Sequence, residues 1–194
     1  MKTLITGGNK GLGLYLTEKF NADSISRANG FDITIDENRI AEKSLDYDIF
    51  INNAFDGPPQ ESWANYAQTN LYIAIYDAWK KANKFGYIFN IGSSGEKNIV
   101  TPEPRFETYR ISKAALLHAS KQGTQAFKSN SVPFKTTLLT LDRLDTPLSR
   151  SRASWTGNGI DLNDVTQSMN FCLSTGKNTC VDEIILYCNL NFIL

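Results

Sequence analysis

Thr6-Gly7-Gly8-Asn9-Lys10-Gly11-Leu12-Gly13 follows directly on a short β-prone run at residues 2–6. It leads into Gly11–Phe20, where Leu12, Leu16 and Phe20 fall on one helical stripe. A glycine loop at such a junction lets the backbone turn tightly and approach an anion. The anion then sits at the positive end of the new helix. A glycine triplet taken alone reads equally well as a plain turn. Its position at the first strand-to-helix junction of an alternating chain points instead to a dinucleotide pyrophosphate, with Gly7, Asn9, Lys10, Gly11, Leu12 and Gly13 forming the cradle.

The alternation continues outward from the loop. Residues 24–26 form a brief strand, 36–44 a helix, and 48–52 (DIFIN) a strand ending at a turn. Residues 61–82, rich in Tyr, Ala and Trp, make a long helix, followed by a strand at 86–91 (GYIFNI) and a helix at 106–128. Lys135–Leu141 is a strand, 161–174 a helix with Asp161 as its N-cap, and 183–187 (EIILY) a last strand. Strands that read as near-continuous apolar runs, separated by helices, imply a parallel sheet covered on both faces. The expectation is a single α/β domain over residues 1–194, Rossmann-like and doubly wound, three layers deep, with six to seven strands. Between Ser26 and Asp32 no crossover helix fits, and parallel neighbours need a dozen or more connecting residues. Residues 31–33 therefore cannot pair in parallel beside residues 24–26, and that edge of the sheet should be reduced.

Composition narrows the function classes. The 194 residues include 20 Lys and Arg against 20 Asp and Glu, a zero net charge that argues against a broad nucleic-acid footprint. No window approaches the roughly 20 apolar residues of a membrane span, and the N-terminal apolar run breaks at once into Gly7-Gly8, unlike a signal peptide. Cys172, Cys180 and Cys188 lack metal-ligand spacing and read as isolated thiols in a reducing cytoplasm. With His118 the only histidine, no multi-histidine metal site exists, and none is expected.

Two clusters carry chemistry. Lys10 lies inside the glycine loop and Arg27 follows the second strand, where an adenosine ribose would lie. No acidic residue stands there to hold a free 2′-hydroxyl, so the two cations suit a 2′-phosphate and NADP(H); the alternative is two solvated surface charges. Tyr109-Arg110-Ile111-Ser112-Lys113 sets a phenol and an amine four residues apart, on one helix face. An ammonium beside a phenol favours proton exchange near neutral pH, though Tyr-x-x-x-Lys also occurs on ordinary exposed helices. Ser93, at the carboxyl end of the GYIFNI strand, lies on the rim where open α/β sheets bind ligands, or else is a turn former.

TGGNKGLG, FDIT, INNA, NIGSS, YRISK and the late DTPL stand in the order of the short-chain dehydrogenase/reductase family, which the chain resembles over almost its whole length. The resemblance implies a tetrad of Asn70, Ser93, Tyr109 and Lys113. Tyr109 would be the general acid/base, Ser93 the donor that orients the carbonyl, and Lys113 both a tuner of the phenol and a nicotinamide-ribose ligand. Asn70, mid-helix in YAQTNLYIA, would hold a water linking Lys113 to solvent. Asp32 and Ile33 would border the adenine, Asn53 and Ala54 the adenosine ribose, and Thr146 the nicotinamide end. A basic residue at Lys10 is the family's mark of NADP preference. The resemblance also implies a small-molecule carbonyl/alcohol substrate and a homodimer or homotetramer whose contact is built on the Tyr109 helix and on the helix containing Tyr72, Tyr76 and Trp79, with Trp63 and Tyr66 near its start; those aromatics read as core or subunit interface.

The chain departs from the pattern in several places. Phe55 replaces the glycine of Asn-Asn-Ala-Gly, Leu141-Asp142 stands where Pro-Gly is usual, and the helix after the second strand is missing. Little more than a dozen residues separate Thr146 from the next helix, so the lid that normally covers the substrate is short. Arg150, Arg152 and Trp155 lie in it, as substrate contacts or as solvated loop residues. The leading expectation is an NADP(H)-dependent interconversion of carbonyl and alcohol. The competing one is a dinucleotide-binding regulatory or scaffold protein without turnover, favoured by Phe55 and the lost Pro-Gly. A sugar-nucleotide epimerase or dehydratase would need an additional C-terminal substrate domain, for which little chain follows Thr146.

Overall fold

The structure, a computed structural model, describes residues 1–55, 66–96, 107–152, 155 and 157–189. In chain order the elements are β1 (Thr3–Thr6), α1 (Gly11–Phe20), β2 (Asp23–Ile25), α2 (Glu37–Ser44), β3 (Ile49–Asn52), α3 (Ala67–Lys81) and β4 (Tyr87–Ile91). Then come α4 (Glu107–Lys128), β5 (Lys135–Leu141), the short α5 (Pro147–Arg150), α6 (Leu162–Ser174) and β6 (Glu183–Leu186). The six strands form one sheet in the order β2-β1-β3-β4-β5-β6, every pair parallel.

Strand alternation builds the three layers. Leu4, Phe50, Ile88 and Leu138 face one way, into a core shared with Ile40, Leu71, Tyr72, Ile75, Trp79 and Leu116 of α2, α3 and α4. Ile5, Ile49, Ile51, Phe89 and Leu139 face the other way, against Leu12 and Leu16 of α1 and Val165, Met169 and Cys172 of α6. Leu16 is fully buried, so Leu16→Ala would cost roughly 2–5 kcal/mol by removing packed methyl groups. The cores also hold polar groups with partners: the Trp79 indole N–H donates to Ser44 Oγ at 2.8 Å.

The reduced edge is present as expected. The edge strand β2 has three residues and is followed by a single 3-10 turn, Arg27–Asn29, and the crossover from β2 to β3 runs through α2. Residues 31–33 are not a strand. Asp161 caps α6, accepting from the Asn163 N–H at 2.7 Å. Two short features had no periodic signal to reveal them: α5, and the 3-10 turn Ser94–Glu96. The first residues of the long helix expected from 61 lie outside the described residues, as does Trp63.

The order of strands fixes where a ligand can sit. From β1 the chain proceeds to β2 on one side, and the sheet continues through β3 on the other. The crevice at the carboxyl ends of β1 and β3 is the switch point of such a sheet. The glycine loop leaves β1 there, and Asn53 and Ala54 leave β3 beside it.

Candidate active site

The loop after β1 is built for close approach. Gly7 has φ 73°, in the left-handed region, and its N–H donates to the Ile25 carbonyl at 2.8 Å. A Cβ at Gly13 would stand 2.0 Å from the Gly7 carbonyl oxygen and 2.7 Å from Asn53 Nδ2, so only glycine lets the first turn of α1 press on the loop. Thr6 ties the two strand ends together: its Oγ1 accepts from the N–H groups of Asn53 at 3.1 Å and Ala54 at 2.9 Å. Lys10 stands at the N-cap of α1 without a side-chain cap, and the first turn has no acidic residue. The helix start thus presents amide groups and no competing carboxylate, an environment that suits a phosphate. Leu12 buries its side chain in the core and can offer the loop only its backbone.

Asn9 Nδ2 donates to Ser26 Oγ at 2.9 Å, bringing Lys10 and Arg27, one residue beyond each, to the same rim. Both cations are exposed. Arg27 does not stand alone: its Nε is 2.6 Å from Asp32 Oδ2, and the guanidinium holds the Asp32 carboxyl down to about 2, helped by the Thr34 N–H. An acidic residue therefore does stand beside Arg27, contrary to expectation from the sequence, because Asp32 arrives there only by the turn after the 3-10 segment. Ile33 lies beside Asp32. Its side chain is buried in the α2/α3 core, and only its backbone can border a ligand.

Ser93, Tyr109 and Lys113 come together at the carboxyl end of β4. Ser93 Oγ accepts from the Gly95 N–H at 3.2 Å. A Cβ on Gly95 would meet Ser93 Oγ at 3.3 Å and Tyr109 Cε1 at 3.6 Å, so both side chains border one small space. Lys113 is 4% exposed, its Nζ 5.7 Å from the Tyr109 ring centre. The ammonium donates to the Ile91 carbonyl at 3.0 Å and to Gln68 Oε1 at 2.6 Å.

Asn70 is not part of this cluster. It is exposed on α3, whereas Gln68, two residues earlier, is 2% exposed and meets Lys113. A helix turns about 100° per residue, so two positions apart face different directions; the Asn-Leu motif marked the right helix and the wrong face. Nothing in the sequence singled out Gln68.

Phe55 stands in the same place. Its ring packs edge-to-face on Tyr109 with centres 5.0 Å apart, and Lys113 Nζ lies 5.1 Å from its centre. On the β5 side, Asp142 accepts from Ser94 Oγ at 3.0 Å, and its N–H donates to the Leu186 carbonyl at 3.0 Å. The loop that usually carries Pro-Gly is therefore pinned by polar contacts. Thr146, 7% exposed, caps α5, its Oγ1 accepting from the Ser149 N–H at 3.2 Å. Arg150 is engaged by Asp145, His118 is exposed, and the three cysteines are free thiols. Among the described residues no cluster could hold a metal ion, and no helix is long and apolar enough to cross a membrane.

No protein-family model matches the sequence, and no curated protein does. Solved structures do match its fold. A short-chain dehydrogenase from Burkholderia cenocepacia in complex with NADP superimposes with a TM-score of 0.71 at 20% identity, over 96% of this chain and 90% of that one. A betaketoacyl-[ACP] reductase from Bacteroides thetaiotaomicron gives 0.73 at 18% identity, covering 97% of each chain. A 3-ketoacyl-(acyl-carrier-protein) reductase from Brucella melitensis complexed with NADH gives 0.69 at 17% identity, over 94% of this chain and 96% of that one. The chain thus has the Rossmann-like α/β fold of the short-chain dehydrogenases.

Proposed function

We propose that this protein is an oxidoreductase that interconverts a carbonyl and an alcohol with NADP(H). The observation that carries the reading is the convergence of Ser93, Tyr109 and buried Lys113 at the carboxyl end of β4, in the same crevice as the glycine loop. The loop fits a dinucleotide: a Cβ at Gly13 would fill its floor, and the uncapped start of α1 faces it. Gly7, Asn9, Lys10, Gly11 and Gly13 would hold the pyrophosphate, Asn53 and Ala54 the adenosine ribose, and Asp32 and the Ile33 backbone the adenine. Thr146 would border the nicotinamide end. Both NADP and NADH occur in the structural neighbours, so the preference rests on Lys10 and Arg27.

When bound, the nicotinamide supplies or accepts the hydride. Ser93 donates a hydrogen bond to the substrate oxygen and polarises it. Tyr109 gives its phenolic proton to that oxygen in reduction and takes it back in oxidation. Lys113, beside the ring, stabilises the phenolate by its charge.

Phe55 favours a second reading. A ring over Lys113 and Tyr109 narrows the nicotinamide end, as would suit a protein that binds a dinucleotide without turnover. One experiment separates the two: titrate the protein with NADPH and NADH by fluorescence, then screen carbonyl substrates with wild type and Tyr109→Phe. Saturation by NADPH, turnover by wild type, and a dead variant of unchanged NADPH affinity are the expected results. Binding without turnover of any carbonyl would favour the second reading, and activity surviving in Tyr109→Phe would refute the proton donor.

The proposed assembly is a homodimer or homotetramer, and the proposed location cytoplasmic. Ile73 of α3 and Ile111 of α4, 47% and 57% exposed, offer apolar surface for subunit contact.

A further inference from the structure

The Gln68 amide, buried between α3 and the sheet, has only one workable orientation. Its Nε2 donates to the Asn52 carbonyl at 2.7 Å and to the Ile91 carbonyl at 3.1 Å. That leaves Oε1 to accept from Lys113 Nζ at 2.6 Å. Flipped, the amide would set N–H groups against an ammonium and its oxygen against two carbonyls. The backbone of Gln68 is held as well, its carbonyl accepting from Asn52 Nδ2 at 2.9 Å. Asn52 Nδ2 also donates to Asn90 Oδ1 at 2.8 Å, and Asn90 Nδ2 to Ser120 Oγ at 2.8 Å. A buried polar chain thus joins the ends of β3 and β4 to α3 and α4, with Gln68 at the link to Lys113.

We propose that Gln68 is the positioning residue of the proton transfer, holding the Lys113 ammonium charged and fixed beside Tyr109 by a direct bond. This rests on the reading of Tyr109 as the proton donor. A buried ammonium needs acceptors to remain charged, and Gln68 supplies one of the two acceptors named above. Gln68 from α3, the Ile91 carbonyl from β4, the Phe55 ring after β3, and the titratable Tyr109 of its own helix are among the described groups that face Lys113.

A second consequence concerns the proton's route. An amide oxygen accepts a hydrogen bond without passing a proton on, and both Gln68 N–H groups are committed to carbonyls. Protons therefore do not reach Lys113 through Gln68. In reduction the Tyr109 O–H bond breaks and an O–H bond forms on the substrate oxygen. The phenolate is then reprotonated from solvent by a route that does not include Gln68.

The test compares Gln68→Met, which keeps size and removes the acceptor, with Gln68→Glu, which restores an acceptor. The protein carries 13C-labelled lysine, and the Lys113 Cε resonance is followed against pH, with Lys113→Arg for assignment. In Gln68→Met, Lys113 should lose its proton at a pH lower than in wild type by about one unit or more. In Gln68→Glu it should do so at or above the wild-type pH. With a turned-over carbonyl, Gln68→Met should lower kcat about tenfold or more and move a limb of the pH profile, while NADPH affinity stays within about twofold. A folded Gln68→Met whose Lys113 titrates as in wild type would overturn the proposal. If that variant does not fold, Gln68→Asn, which withdraws the acceptor by one methylene, should move the titration in the same direction, and no movement would overturn the proposal. If wild type turns over no carbonyl, the reading of function fails, yet the lysine titration still decides the role of Gln68.

Discussion

Arg27→Ala should weaken NADPH binding and leave NADH binding almost unchanged. A charge-assisted hydrogen bond to a phosphate contributes about 1.5–3 kcal/mol in general. The Arg27 side chain is 60% exposed, so solvent screens it. It also bonds Asp32 at 2.6 Å, and a 2′-phosphate must compete with that carboxylate. These two effects reduce the expected loss to roughly 1 kcal/mol, about fivefold in Kd. Asp32→Asn should act in the opposite direction, because it weakens the carboxylate's hold on the guanidinium and removes a negative charge that would repel the phosphate. The pair couples in a double-mutant cycle: without Arg27, Asp32→Asn loses that part of its effect that acts through the guanidinium. The assay is a fluorescence titration of four proteins (wild type, both single variants and the double variant) with NADPH and NADH at low and high salt. The NADPH difference should shrink in high salt. Equal changes for NADPH and NADH, or tighter NADPH binding by Arg27→Ala, would refute the assignment of Arg27 to the 2′-phosphate.

Three other outcomes can be checked directly. Gly13→Ala, whose Cβ would stand 2.0 Å from a backbone oxygen, should be destabilised by about 1–3 kcal/mol or more and lose NADPH binding; a Tm equal to wild type would show that the loop yields. Phe55→Gly removes a ring whose contacts with Tyr109 and Lys113 must break to admit a nicotinamide, contacts worth about 1 kcal/mol, so NADPH should bind up to about fivefold tighter, and weaker binding would make Phe55 part of the cofactor site instead. The depressed Asp32 carboxyl stabilises the fold above its unfolded value of about 3.9, and that contribution is lost as pH falls towards about 2. Asp32→Asn should therefore melt about 2–4 °C lower at pH 6 and approach wild type below about pH 4; a pH-independent gap would refute the linkage.

Much of this was legible in the chain itself. The alternation of apolar runs with helical stripes determined the three layers, because buried parallel strands need both faces apolar and their crossovers need helices. The lack of room between Ser26 and Asp32 determined the thin edge at β2, by chain reach alone. Glycines at 7, 11 and 13 marked the loop, and Tyr109 and Lys113 were neighbours by helical period. Local spacing decides such features, and a sequence displays local spacing.

Only the tertiary structure decided the rest, because it depends on which faces meet after the helices dock. Asp32 reaches Arg27 through a turn with no regular period. Ile33 turned into the core, since the α2/α3 packing needed an apolar group there. Rotation of α3 on the sheet put Gln68 rather than Asn70 against Lys113, and two residues along a helix is enough to exchange buried for exposed. Phe55, read from sequence as a substitution in a motif, became a ring over the proposed catalytic pair only when the end of β3 and the side of α4 came together across the switch point.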